Sequence, residues 1–565
     1  MSLTTPRGPS APSRSADPQP APTRTFYVVT VVTARPASLL LGGRIHSPSH
    51  PDATAMAVRD GLVVWLGSDD VGRHQFPQAE VHDLEGALVT PAFVDSHVHV
   101  TETGLCRTGL DLRPATSARH CLQLIAEYAA AHPGEPIRGH GWDESGWTDA
   151  AAPTTEALDA VVGDRPAYLS RADVHSALAS TALRNLVPGL PAGIDAQAPL
   201  SGDEHHLVRA AAGTLLTAAQ RAEARVAALD AAAAAGIVAV HECAGPDIGG
   251  LDDWQELRTL SHGGHGVEVI GYWGEPVRTA AQARALIEAT GARGLGGDLF
   301  IDGALGSHTA LLHEPYADAP GCTGVCHLDT DAVTAHLWAC TEAGVTAGFH
   351  VIGDAAAASV VEALERVVAK FGVAAVARCG HRLEHLEMVD AEQAAKLGSW
   401  GVIASMQPAF DALWGGEDGM YAQRLGPERA AGMNPFALLA SQGVPLAFGS
   451  DSPVTSLDPW AAVRAAAHHR TPGRAVSVRA AFAASTRGGW RAAGINDGIT
   501  GTLVPGAPAS YAVWETSTLA VEAPRDTVQR WSTDPRARVP ALPVLEAGAS
   551  PRCLRTVHRG VVLHG

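Results

Sequence analysis

Two histidines one residue apart, His97 and His99, close an apolar run that begins at Pro91. In a β-strand, residues i and i+2 project from one face, so both imidazoles point the same way. Neutral imidazole is a common ligand for divalent transition metals. One such pair among 26 histidines carries little weight alone. It gains weight from three more residues at the ends of apolar runs: His350 after VTAGF, His385 after RLE and Asp451 after PLAFGS. Four imidazoles and one carboxylate are a donor set suited to Zn²⁺ or a similar ion. Water beside such an ion loses a proton near neutral pH and becomes a nucleophile.

These ligands meet only if the fold gathers strand ends on one face. Strands alternate with Ala-rich helical patterns through most of the chain, which predicts parallel strands joined by crossover helices. Eight candidate strands end near His99, His241, Trp273, Asp302, His350, His385, Gln407 and Asp451. That count predicts an α/β fold, a (β/α)8 barrel over 91–499, whose active site lies at the carboxyl ends of its strands. The stretch of about 105–225 is too long for one loop and reads as an inserted α+β subdomain over the mouth. Residues 25–90 hold short strands, among them TFYVVTVVT at 25–33 and a hairpin around Asp60–Gly61. Residues 500–565 read the same way, so the two ends predict one discontinuous small β-sandwich. Residues 1–24, rich in Pro, Ser, Thr and Ala, predict a disordered tail.

Composition narrows the function classes. A chain of 565 residues exceeds one ordinary core. Its 46% hydrophobic and 18% charged content fits a folded globular protein. A net charge of −18 argues against nucleic acid or an anionic membrane as main partner. No apolar run reaches the length of a membrane span, and no secretory apolar segment stands at the start. Eight scattered cysteines form no Cys-x-x-Cys pair and imply reduced thiols in a cytoplasm. The partner expected is a small-molecule substrate; a homodimer is left open.

The motifs themselves resemble a known group. PAFVDSHVH (91–99), FHVIGD (349–354), HRLEH (381–385) and FGSDSP (448–453) are similar to the amidohydrolase superfamily. IDGALGSHTA (301–310), EPY (314–316), GWDESGW (141–147), RADVH (171–175) and SMQP (405–408) resemble its amidohydrolase-3, YtcJ-like branch, with N-substituted formamide deformylase among the similar members. The resemblance spans about 27–520. It implies metal-dependent hydrolysis of a C–N bond on a barrel flanked by a β-sandwich. It also implies that His97, His99, His350 and His385 ligate metal, and that Asp451 is both ligand and general base. One position departs from the family. Many binuclear members bridge two metals with a carbamylated lysine on the fourth strand, where this chain has Asp298. The only lysines, Lys370 and Lys396, lie in helical patterns, which excludes a lysine carbamate. Either Asp298 ligates directly or the site holds one metal. Aspartate is several atoms shorter than a carbamylated lysine, so one tight ion, most simply zinc, is expected and two are the alternative.

Other residues complete the expected site. His175, His241 and His308 are candidate donors to a tetrahedral oxyanion, and His241 and His308 are the catalytic candidates among them. Trp142, Asp143, Arg171, His175, Asp302 and Gln407 are placed in the substrate pocket. Trp147, Trp273, Tyr272 and Phe410 are read as either wall or core. Arg171 either holds a substrate carboxylate or pairs with Asp173 or Asp143. Asp354 suits a helix N-cap, and His205–His206 reads as solvated. No phosphate-binding motif is present. The expected function is hydrolysis of a small N-substituted amide. The alternatives are deamination of a nitrogen heterocycle and a non-catalytic barrel scaffold. Deaminases of the superfamily often carry His-x-x-Glu after strand five, whereas this chain has His350-x-x-x-Asp354.

Overall fold

The computed structural model describes residues 36–149, 151–191, 194–516, 518–521, 538–545 and 550–565. The expected tail 1–24 and strand 25–33 lie outside these. The centre of the fold is an eight-stranded parallel sheet: β1 (Phe93–Val98), β2 (Ile237–Ala244), β3 (Glu268–Trp273), β4 (Gly294–Leu295), β5 (Thr346–Val351), β6 (Arg382–His385), β7 (Ile403–Met406) and β8 (Leu446–Phe448). Each strand pairs with the next in sequence. The seam between first and last is closed beyond β8, where Asp451 N–H donates to His97 O at 2.8 Å and His99 N–H to Ser452 O at 2.9 Å. Asp95 reinforces it, its Oδ1 accepting from Ser450 N–H at 2.8 Å and His97 N–H at 3.2 Å. This is the expected (β/α)8 barrel.

Every residue of β1 and β2 is buried, as expected for parallel strands covered on both faces. The helix Asp354–Phe371 buries Ala356, Val360, Leu364 and Val367 along one stripe. Each fully buried valine or leucine contributes about 1.5–3 kcal/mol to that contact. Capping boxes start the crossovers at Thr217 with Gln220, Thr279 with Gln282, and Asp390 with Gln393. Asp354 is no cap: Gly353 holds that position, and Asp354 Oδ1 accepts from His313 N–H at 3.0 Å.

Two expected strand ends move. β2 runs past His241 to Ala244, so His241 sits inside the barrel rather than at its mouth. β4 is two residues long, and Asp302 lies seven residues beyond it in a loop.

Between β1 and β2 the chain builds a five-stranded sheet in the order 200–201, 176–179, 167–171, 137–142, 110–111. Helices 118–131, 155–162 and 202–214 accompany it. Strands 44–45, 88–91, 511–515, 552–558 and 561–564 form a sheet that joins both ends of the described chain. Strands 38–41, 55–59, 62–67 and 80–83 form a second, with the Asp60–Gly61 hairpin in left-handed backbone, φ 51° and 76°. Among the described residues, no helix is long and apolar enough to cross a membrane.

Candidate metal centre

The mouth of the barrel gathers six donor side chains. His97 and His99 come from the end of β1, His350 from β5, His385 from β6, and Asp298 and Asp451 from the loops after β4 and β8. All six are at most 8% exposed. His385 and Asp451 adopt left-handed backbone, φ 69° and 53°. For residues other than glycine that conformation is uncommon and costs about 1–2 kcal/mol. The neighbouring ladder holds it in place, with Leu386 N–H on Val351 O at 2.8 Å and Val454 N–H on Asp451 O at 2.7 Å.

Asp298 lies at the centre. Its Oδ2 is 3.0 Å from His99 Nε2, and its Oδ1 is 3.5 Å from His97 Nε2, 3.4 Å from His350 Nδ1 and 3.6 Å from His385 Nε2. Asp451 Oδ1 is 3.4 Å from His97 Nε2 and 3.3 Å from His99 Nε2. Burial pushes Asp298 up, yet His97, His350 and His385 hold its carboxyl well below the usual range. Burial likewise lowers His99, but Asp298 and Asp451 raise it to about 9. The two carboxylates thus require positive charge beside them, which a divalent ion supplies in place of protons.

Partners on the far side of three rings fix which nitrogen is free. His97 Nδ1 donates to Glu384 Oε2 at 2.9 Å, His385 Nδ1 to Gln407 Oε1 at 2.8 Å, and His350 Nε2 to Gly303 O at 3.3 Å. His97 Nε2, His385 Nε2 and His350 Nδ1 then face Asp298 oxygens, and either a second proton on each ring or a cation between them relieves the repulsion of lone pairs. His97 Nε2, His385 Nε2 and Asp451 Oδ1 are buried without a hydrogen-bond partner. The residues therefore fit a metal.

Glu384 is itself held from below. Arg382 donates from Nε to Glu384 Oε1 at 2.5 Å and from Nη2 to Oε2 at 2.9 Å, Ser405 Oγ at 2.8 Å and Ser96 O at 2.6 Å. Its Nη1 reaches His241 Nδ1 at 2.9 Å, and Tyr272 lies 4.3 Å from the guanidinium. Burial opposes ionisation of Glu384, but Arg382 holds it well below the usual carboxylate range. Neither Arg382 nor Glu384 was among the expected site residues. Their signal in the sequence is Arg-x-Glu within a strand, two charges on one face of a barrel interior.

The remaining expected residues divide. His175 joins the site, its ring 5.1 Å from that of His350 and 5.7 Å from Phe300. Gln407 joins through His385, and its Nε2 is buried without a partner. His241 serves Arg382 in the barrel core. His308 pairs with Asp318 at 3.0 Å in a half-exposed loop. Trp142 is fully buried in the inserted sheet's own core, its Nε1 on Leu169 O at 2.8 Å. Asp302 is spent on backbone, accepting from Leu311, Ile352 and Gly353 N–H at 2.9, 3.0 and 2.8 Å. Arg171 is saturated by Asp143 at 2.6 Å, Glu144 at 2.8 Å and Asp173 at 2.8 Å. His205 is buried rather than solvated, its Nε2 2.9 Å from Tyr168 Oη.

Comparison with known proteins gives a family match and several relatives. The model of one family, described as "Amidohydrolase family", matches residues 80–564. The putative amidohydrolase YtcJ of Bacillus subtilis is 29% identical over 446 residues, covering 73% of this chain and 79% of its own. Protein LONG AFTER FAR-RED 3 of Arabidopsis thaliana is 27% identical over 503 residues, covering 83% and 85%. The crystal structure of an uncharacterized metal-dependent hydrolase from Pyrococcus furiosus aligns with a TM-score of 0.65 at 25% identity, covering 84% of this chain and 98% of that one.

Proposed function

The chain belongs to the amidohydrolase family, and from that premise we propose that it hydrolyses the C–N bond of a small, uncharged N-substituted amide. The observation that carries the reading is the convergence of four imidazoles and two carboxylates at the barrel mouth, with three of their donor atoms buried and unpartnered. His97, His99, His350, His385, Asp451 and Asp298 would hold the metal, for which zinc suits the donor set best. A divalent ion there supplies Lewis acidity, acidifying water and polarising the amide carbonyl.

The residues of the chain do the rest. Asp451 accepts a proton from the attacking water and returns it to the departing nitrogen, and the new acid's remaining proton passes to the released amine, so that amide and water become carboxylate and protonated amine. Gln407 accepts from His385 Nδ1 through its Oε1 and so keeps His385 in the ligating tautomer. Glu384 keeps His97 in the ligating tautomer.

The pairing of two arginines near the mouth supports an uncharged substrate. Arg171 and Arg424 are both consumed by acids, Arg424 by Asp318 at 2.6 Å and Glu144 at 3.1 Å. The wall running outward from His350 consists of His175, Phe300, His206 and His327, in ring contact one with the next. Burial lowers the pKa of all three of those outer histidines, so the wall is neutral at pH 7.

The test is a panel of N-substituted formamides and acetamides beside heterocyclic amines, with amine and ammonia release followed by mass spectrometry. Hydrolysis of an uncharged amide, at least about a hundredfold weaker after chelation and restored by Zn²⁺, is expected. Ammonia from the heterocycles alone, or no turnover by metal-loaded protein, overturns the reading.

A further inference from the structure

We infer that Asp298 bridges two metal ions with its own carboxylate, so that this chain assembles a binuclear site without carbon dioxide. The inference rests on the metal-dependent reading above and reverses the expectation of one tight ion. Two independent observations carry it, the spacing of the donors and the path of the backbone that delivers Asp298.

A tetrahedral ion with bonds of about 2.0–2.1 Å has neighbouring donors about 3.3–3.4 Å apart. Pairs of that order surround Asp298 on two sides, and two groups of mutually close donors meet there, His97 with His99 and Asp451, and His97 with Asp298 and His385. On one side, His97 Nε2 and His99 Nε2 lie 3.4 and 3.3 Å from Asp451 Oδ1, and 3.5 and 3.0 Å from Asp298 oxygens. His97, His99 and Asp451 close this group, and Asp298 Oδ2 joins it through His99. On the other side, His350 Nδ1 and His385 Nε2 lie 3.4 and 3.6 Å from Asp298 Oδ1. His385 and Asp298 form a donor group with His97, and His350 reaches the same Asp298 oxygen. Six donor residues exceed what one tetrahedral ion takes, and the carboxylate between the sets has two oxygens to divide.

An aspartate is shorter than a carbamylated lysine, so the backbone must come closer, and it does. β4 stops at Leu295 and is followed by Gly296 and Gly297. A Cβ on Gly296 would lie 2.4 Å from Gly348 N, on the neighbouring strand β5. Gly297, at φ +75°, passes so near Cys243 of β2 that a Cβ would lie 3.0 Å from its Sγ. A Cβ on Gly274, just past β3, would stand 3.0 Å from Asp298 O. Glycines on three adjoining segments let residue 298 sink between its neighbours. Beyond it, His350 N–H donates to Leu299 O at 3.0 Å and Ile301 N–H to His350 O at 3.2 Å, which locks the segment beside a ligand. The shorter side chain and the deeper backbone compensate.

The test counts metal. Full-length protein is stripped with a chelator and reloaded with Zn²⁺ in buffer freed of carbon dioxide, then analysed for ions per chain. Parallel samples loaded with Mn²⁺ are read by electron paramagnetic resonance. Two ions per chain, unchanged by added bicarbonate, and an exchange-coupled manganese signal are expected. Asp298→Asn and Asp298→Ala, checked for folding by circular dichroism, should bind at most one ion and lose the coupled signal. One ion in saturated wild type, a second ion only with bicarbonate, or two ions in folded Asp298→Ala would each overturn the bridge. The wild-type counts decide the matter even if both variants misfold. No ion in wild type overturns the metal-dependent reading itself, whereas one ion overturns only the bridge.

Discussion

At the scale of single residues, the centre is governed by which nitrogen of each imidazole carries its proton. Glu384 decides this for His97, and Arg382 keeps Glu384 ionised although both are fully buried. Glu384→Gln keeps the shape but accepts less strongly from His97 Nδ1, so metal affinity should fall about 10–100-fold in competition with a chromogenic chelator. Glu384→Ala is a different lesion. It leaves the Arg382 guanidinium buried with no counter-charge, which costs about 3–5 kcal/mol and should appear as a large drop in the thermal unfolding midpoint. An affinity unchanged in Glu384→Gln would remove Glu384 from the site. A second buried histidine tests proton bookkeeping away from the metal. His381 Nδ1 accepts from Ala347 N–H at 2.9 Å, and its Nε2 lies 2.9 Å from Thr341 Oγ1. Burial, with His336 nearby, lowers it to about 3. The folded chain therefore refuses a proton that the unfolded chain takes up below about pH 6.5. Its stabilising contribution is complete above that value and is lost as pH falls toward 3. His381→Asn should be less stable than wild type at pH 7 by about 1–3 kcal/mol, and the gap should narrow at pH 5. A gap of constant size would mean that His381 is charged in the native state.

At the scale of elements, Gly296 offers the sharpest prediction. Gly296→Ala places a methyl against Gly348 backbone, an overpacking that costs about 1–3 kcal/mol or more. Because the same segment carries Asp298, the variant should also lose bound metal, by elemental analysis, even where circular dichroism shows a folded barrel. Full metal in that variant would mean that the approach of β4 to β5 does not set the position of Asp298. The elements were legible in proportion to the length of their pattern. The strands ending at His350 and His385 announce themselves as apolar runs closed by a ligand, and the crossover helices carry long Ala-rich stripes with explicit caps. β4 has two residues and two glycines after it, too little for any periodicity, so the apolar DLFID beyond it invited a strand that ends at Asp302. The run IVAVHECA has no breaker until Gly245, so its pattern carries the strand past His241 to Ala244. Arg382 and Glu384 are hard to read from sequence because charges mostly lie at surfaces, and only barrel closure turns an Arg-x-Glu strand inward. Trp142 and Asp302 went the other way, since large aromatics and loop acids near strand ends serve cores and backbone as readily as substrates.

At the scale of the whole molecule, the metal centre is also a clasp. Its donors come from β1, β5, β6 and the loops after β4 and β8, segments far apart in sequence that meet at the mouth. Two of them, His97 and Asp451, stand on either side of the seam where the last strand returns to the first. Without a cation, the two buried carboxylates depend on protons taken up by the facing histidines for their counter-charge. Metal that binds only the closed barrel stabilises it by mass action, about 4.1 kcal/mol at a free concentration a thousand times the Kd. For domains of 150–250 residues, 1 kcal/mol moves the unfolding midpoint by about 2–4 °C, so chelation should lower it by several degrees and Zn²⁺ should restore it in a concentration-dependent way. Asp298→Asn should respond less to Zn²⁺ than wild type, because it lacks the carboxylate shared by both donor sets. The shift belongs to the barrel rather than to folding in general, since the inserted sheet keeps a separate core around Ile125, Trp142, Leu158 and Leu169. A midpoint indifferent to chelation in protein shown to have bound the ion would mean that barrel closure rests on the Asp95 and backbone contacts of the seam alone, with the donors gathered for chemistry and contributing nothing to the fold.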